Sequence, residues 1–137
     1  MKISYDKKTP VTQPEDIAGL LQSWLITVDI VDRDKEHFIA VLLNTRSKIK
    51  SIEVVSIGIV NSCLIHPREV FKRAILETSS QIIIAHNHPS GDCEPSDEDI
   101  EITKRLIDAG SIIGINLIDH IVFSSQSYYS FTKNGLI

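Results

Sequence analysis

The stretch Ile82-Ile83-Ile84-Ala85-His86-Asn87-His88-Pro89, continued by Ser90-Gly91-Asp92-Cys93-Glu94-Pro95-Ser96-Asp97-Glu98-Asp99, decides how this chain is read. Its apolar start is a buried strand, and the period of two along a strand puts His86 and His88 on one face with Asn87 facing away. Pro95-Ser96 opens a helix, so Asp99 falls in the first turn and reaches back over the end of the strand. Two imidazoles and one carboxylate leave the fourth position of a tetrahedron to water, which is the catalytic rather than the structural pattern for zinc. An ordinary reading stands beside this one. Ser96 is a good N-cap and Asp99 the third helical residue, so the acids can simply serve a capping-box variant at the helix start, and the histidines can be polar residues at a strand exit.

Outward from this stretch, helices and strands alternate. Pro14-Glu15-Asp16 opens an amphipathic helix over 14–24, with Ile17, Leu20, Leu21 and Trp24 at helical spacing. Two apolar runs, 36–44 and 49–60, joined by Asn44-Thr45-Arg46-Ser47, read as a hairpin. His66-Pro67 begins a second helix through about residue 78, a strand follows over 82–86, and Ser96 caps a third helix that stops at Gly110. A last strand pair over 112–123 leads into a tail containing Ser and Tyr. Buried strands between helices imply an α/β layered domain with a mixed sheet and flanking helices. Residues 1–13 are a lead-in and 14–137 the domain.

Composition fits one soluble domain. The 137 residues are enough for a single substantial core, and 42% hydrophobic content is ordinary. No run approaches membrane-spanning length, and Met1-Lys2-Ile3-Ser4-Tyr5-Asp6-Lys7-Lys8 lacks the apolar segment of a signal peptide, so the expected compartment is the cytoplasm and no membrane partner is expected. Two cysteines, Cys63 and Cys93, do not make a disulfide framework. Cys93 lies within the histidine loop and reads as a bystander thiol, because the histidines and Asp99 already complete an open ligand set.

The pattern H-x-H-P, six residues, then S-x-x-D resembles the JAMM motif of JAB/MPN+ metallopeptidase domains, and the fuller H-N-H-P-S-G-D-x-x-P-S-x-x-D resembles the RadC-like branch. Ser62-Cys63-Leu64-Ile65-His66-Pro67-Arg68-Glu69-Val70-Phe71, Gly114-Ile115-Asn116-Leu117-Ile118-Asp119-His120-Ile121, Tyr129-Ser130-Phe131 and Gly135-Leu136-Ile137 also resemble that branch, so the likeness runs from about Pro14 to Ile137. It implies the JAB, cytidine-deaminase-like architecture and one Zn²⁺ per chain held by His86, His88 and Asp99. It further implies that Ser96 hydrogen-bonds a developing oxyanion and that Glu36 serves as the base. A carboxylate beside a water acidified by metal can take its proton near neutral pH and return it to a leaving amine. Glu53, Glu69 and Glu77 also lie upstream, and an acid at the start of an apolar strand is usually a solvated edge residue. Larger RadC-like proteins carry an additional N-terminal helical segment, which a chain of this length is expected to lack.

Other residues invite functional readings. His66 before Pro67 reads as a helix-entry residue rather than a ligand. Asp119-His120 reads as a satisfied structural pair, with a role behind the metal as the alternative. His37 alternates to the face opposite Glu36, and Tyr128 and Tyr129 read as packing or surface residues. A nucleic-acid partner, raised by the family's association with DNA repair, is not supported by charge: the net is −4, from 14 Lys and Arg against 18 acids. Asp92, Glu94, Asp97, Glu98, Asp99 and Glu101 are expected to crowd the mouth of the site and repel phosphate, while Arg33, Lys35, Arg46, Lys48, Lys50, Arg68, Lys72 and Arg73 leave room for a peripheral contact. Rival metal folds fail on sequence: H-x-H-x-D-H, the zinc-deaminase H-x-E with P-C-x-x-C, and H-E-x-x-H are all absent, and a (β/α)₈ barrel needs about 250 residues. The expected function is a zinc hydrolase acting on a peptide or protein amide. The alternatives are a DNA-associated protein and a zinc-containing binding module without turnover.

Overall fold

The computed structural model describes residues 1–8, 11–58 and 64–137. Its elements are α1 (Pro14–Ile26), α2 (Ile30–Arg33), β1 (Glu36–Leu43), β2 (Ile49–Gly58), α3 (Pro67–Leu76), β3 (Gln81–Asn87), α4 (Asp97–Ile113), β4 (Asn116–Phe123) and β5 (Tyr128–Ser130). The five strands form one mixed sheet in the order β2-β1-β3-β4-β5, with only the β3–β4 pair parallel.

Alternation along β1 and β3 distributes side chains to two cores. Ile39, Val41, Leu43, Ile83 and Ala85 pack under α1 with Ile17, Leu21 and Leu25, and Ile3 of the lead-in joins them. Phe38, Ala40, Leu42, Ile82 and Ile84 pack under α3 and α4 with Val70, Phe71, Ile102 and Leu106. A strand covered on both faces has no need of polar residues, which is why the run Ile82-Ile83-Ile84-Ala85 is unbroken. The α/β fold with a mixed sheet expected from the sequence is therefore the one observed.

Local chemistry sets the element ends. Pro14 occupies the first turn of α1, and Asp16 Oδ2 accepts from the backbone N–H groups of Thr12 at 2.9 Å and Gln13 at 3.1 Å. Asn44 Oδ1 accepts from Arg46 N at 2.8 Å and Lys48 N at 3.1 Å, closing the expected hairpin. Residues 59–60 of the run read as a strand lie outside the described residues. The helix read as ending near residue 78 stops at Leu76, and Thr78 has φ +53°.

Two readings of the chain's second half are corrected. Gly110 does not stop the third helix: α4 continues to Ile113, and Gly114 ends it in the left-handed region with φ +80°. Residues 112–113 therefore belong to the helix, the strand pair reduces to β4, and its antiparallel partner β5 lies in the segment read as a tail. Gly110 is a glycine for space rather than conformation, since a Cβ there would meet the Ile115 carbonyl oxygen at 2.3 Å and Phe71 at 3.2 Å.

Two helical glycines are therefore expected to respond with opposite sign. Gly110→Ala should lower stability by about 1–3 kcal/mol through overpacking, whereas Gly19→Ala, where a Cβ meets nothing within 4 Å, should raise it by about 0.5–1 kcal/mol. Urea denaturation of the two variants beside the parent protein checks this, and a stable Gly110→Ala protein would refute the packing account.

Candidate metal centre

The centre forms where β3 ends and α4 begins. Antiparallel pairing matches His86 with Phe38, and His86, fully buried, faces the α4 side of the sheet. His88 lies just past the strand, where its N–H donates to the Phe123 carbonyl at 2.9 Å and the loop turns through Gly91 at φ +92°. That loop carries the Asp92 carbonyl to 2.8 Å from His88 Nδ1. On the other side, Ser96 Oγ accepts from Asp99 N at 3.1 Å and Asp99 Oδ2 accepts from Ser96 N at 2.9 Å, a reciprocal cap that aims the carboxylate back at the strand. The capping reading and the ligand reading of Ser96 and Asp99 thus describe one arrangement.

The three side chains converge. The Nε2 atoms of His86 and His88 are 2.9 Å apart, Asp99 Oδ1 is 3.2 Å from His86 Nε2, and Asp99 Oδ2 is 3.3 Å from His88 Nε2. Burial works to raise the Asp99 carboxyl, but the two imidazoles and the Ser96 N–H outweigh it and hold the group well below the usual carboxylate range. The same carboxylate raises the His88 imidazole above its ordinary value.

Glu36 arrives from the neighbouring strand. Carried two residues past Phe38 and His86, the β1–β3 register sets Glu36 opposite His88, and a Glu36 carboxylate oxygen lies within 4.8 Å of a ring nitrogen of each histidine. Asn87, facing the other way as expected, secures this end of β1: its Oδ1 accepts from His37 N at 2.6 Å and its Nδ2 donates to the Lys35 carbonyl at 3.0 Å. The amide thus grips the backbone on both sides of Glu36. His37 is buried on that opposite face against Trp24, as alternation requires. Of the rival acids, Glu53 and Glu77 pair with Arg73, and Glu69 is exposed on α3.

Other candidates sort by position. His66 is the N-cap of α3. The Cys93 sulfur lies 3.3 Å from Ser127 Oγ in a small cluster with Val122 and Phe131, while Cys63 lies outside the described residues. Asp119 and His120 are satisfied separately rather than as a side-chain pair, because adjacent residues of β4 face opposite sides. Asp119 accepts from Ser130 Oγ at 2.6 Å and Thr132 N at 3.0 Å. His120 instead stands behind the candidate centre, its Nε2 2.8 Å from His86 Nδ1 and its Nδ1 2.6 Å from Thr103 Oγ1. Burial, reinforced by the His86 ring, pushes the His120 imidazole well below its ordinary value. Thr103 was not visible as a site residue in the sequence, since a threonine inside an amphipathic helix carries no motif.

A cleft of about 680 Å³ opens over the centre, lined by Asp34, Lys35, Glu36, Gly58, His88, Pro89, Ser90, Ser96, Glu98 and Asp99. Of the six acids expected at its mouth, only Glu98 and Asp99 line it; Asp34 and Glu36 complete its acidic character. The donor set fits a divalent transition metal, because two imidazole nitrogens and a buried carboxylate are borderline ligands converging within bonding reach of one ion.

The RadC-like JAB domain pattern matches residues 11–136. A UPF0758 protein of Desulforamulus reducens is 49% identical over 124 residues, covering 90% of this chain and 52% of that protein. The UPF0758 protein TTE0897 of Caldanaerobacter subterraneus subsp. tengcongensis is 47% identical over 125 residues, covering 91% and 52%, and one from Rubrobacter xylanophilus is 42% identical over 127 residues, covering 93% and 53%. The chain spans about half the length of these curated relatives. The matched region takes in every element that builds the cleft, and this chain belongs to the RadC-like JAB domain family.

Proposed function

We propose that the chain is a zinc-dependent hydrolase of peptide or isopeptide amides, with one Zn²⁺ held by His86, His88 and Asp99. The observation that carries the reading is the meeting of the two Nε2 atoms, the Asp99 carboxylate and the Glu36 carboxylate at the floor of an open cleft. When bound, zinc polarises a carbonyl and brings the pKa of its water to about 7. Glu36 takes one proton from the attacking water as the water oxygen bonds to the carbonyl carbon. It then hands that proton to the amide nitrogen as the C–N bond breaks, leaving an acid and an amine. Ser96 uses a lone pair to cap α4, so its O–H is available to donate to the oxygen that gains charge in the tetrahedral state. The cytoplasm is the compartment that goes with this reading; among the described residues no helix is long and apolar enough to cross a membrane.

Two measurements test the ligand and base assignments. Metal analysis should find one zinc per chain, and the His86→Ala/His88→Ala variant should lose it; undiminished zinc would sink the assignment. Glu36→Gln should keep its zinc and lose at least about 100-fold in hydrolysis, the low end of what general-base catalysis contributes. Loss of the metal instead would make Glu36 a ligand.

Substrate class is tested by comparing chelated, zinc-restored and His88→Ala protein on peptide-library and DNA substrates. Chelator-sensitive amide cleavage that zinc restores and His88→Ala lacks is expected. Zinc-dependent DNA cleavage that disappears in His88→Ala would overturn the peptidase reading. Full zinc occupancy with no turnover on any substrate would identify a binding module.

A further inference from the structure

Thr103 has a single hydroxyl proton and two close partners. Its Oγ1 lies 2.7 Å from the backbone carbonyl of Asp99 and 2.6 Å from His120 Nδ1. A carbonyl brings no proton, so the hydroxyl donates to it, and the second contact must be donated by the ring: His120 carries its proton on Nδ1. A neutral ring protonated there has its lone pair on Nε2, which lies 2.8 Å from His86 Nδ1. His86 must then supply that proton, leaving its own Nε2 as a lone pair aimed at Asp99 and His88. The same parity holds independently for His88, whose Nδ1 donates to the Asp92 carbonyl and whose Nε2 faces inward.

We propose that Thr103 and His120 are positioning residues that set the tautomer of His86 and so keep the His86 Nε2 lone pair pointed at the metal. This rests on the reading of His86 as a ligand. The relay starts at the backbone of Asp99, passes through Thr103 and His120 and ends on His86, whose Nε2 lone pair and the Asp99 carboxylate oxygen 3.2 Å away are two acceptors facing the same point. One hydroxyl thereby ties the helix that supplies the carboxylate to the strand that supplies the imidazole. His86 and His120 are fully buried and Thr103 almost so, and Phe131 stacks on the His120 ring at 4.5 Å between centroids, so no water takes over either bond. A metal-bound histidine usually donates its far N–H to a carboxylate, carbonyl or water. Here a neutral histidine takes that place, and it accepts only because Thr103 fixes where its own proton sits.

The test uses the full chain, with Thr103→Val to remove the hydroxyl at nearly constant shape and Thr103→Ser to restore it. Zinc affinity is read by competition with a chromogenic chelator, and the histidine tautomers by long-range ¹H–¹⁵N correlation on zinc-free protein at pH 8. The parent protein should show His86 protonated on Nδ1. Thr103→Val should bind zinc about 10- to 100-fold more weakly, the range for loss of an outer partner of a ligand, and show a mixed His86 tautomer, while Thr103→Ser should recover both. Parent protein with His86 protonated on Nε2 overturns the proposal, even where the valine variant does not fold. So does a folded Thr103→Val protein with unchanged affinity and tautomer. Parent protein that binds no zinc defeats the metal reading instead, and the tautomer measurement still decides the relay.

Discussion

Two imidazole nitrogens and a carboxylate aimed at one point at the buried end of β3 form the constraint on which the rest of this structure depends. Polar groups drawn out of water cost roughly 1–3 kcal/mol each when left unpaired, and more when charged. The fold meets that cost with fixed partners rather than flexible ones. The Asp92 carbonyl holds the outer nitrogen of His88, His120 holds that of His86, and the Ser96 N–H holds Asp99. Each partner sits on a different segment, so the geometry of the centre is set by how β3, β4, α4 and the loop after β3 pack together, not by any one of them.

Helix α4 shows how little of this needs dedicated machinery. A carboxylate near the first turn of a helix is favoured by the exposed N–H groups and the macrodipole there. Asp99 collects that stabilisation while reaching the histidines, and Ser96 satisfies an N–H that would otherwise be orphaned. The loop from Pro89 to Pro95 only has to deliver the helix start to the strand end, which is the place where α/β sheets commonly bind ligands, beyond the carboxyl ends of their strands.

What the sequence made legible follows the range of the physics behind each feature. His86, His88 and Asp99 depend on strand period, a capping signal and a short loop, all local, and they converge as that spacing implies. Glu36 depends on which strand lies beside β3 and in what register, and no local pattern encodes that; its place came from a resemblance and was then met by the observed β1–β3 pairing. A place for His120 behind the ligands stood in the sequence as an alternative, but its partnership with Thr103 did not, because β4 alternation splits Asp119 from His120, two residues that look like a pair in sequence. The same limit explains Gly110. Its role is to let the Ile115 carbonyl approach, a tertiary contact that reads in sequence as a helix stop. The tail strand β5 was overlooked for its brevity, since three residues are too few for alternation to register.

Charge around the cleft bears on which substrates the centre suits. Asp34, Glu36, Glu98 and Asp99 line it against a single lysine, and Lys35 Nζ is already held by Asp32 at 2.8 Å. One divalent ion bound there would offset about two of those carboxylates, and the field left over would still oppose an approaching phosphate and be indifferent to a neutral amide. The lysines of the β1–β2 hairpin, Lys48 and Lys50, sit at the end of the sheet away from the histidines, because β1 starts at Glu36 beside the centre and the hairpin closes eight residues further on. A polyanion drawn to them would be held far from the histidines. Any nucleic-acid contact made there would be a docking contact, remote from His86, His88 and Asp99.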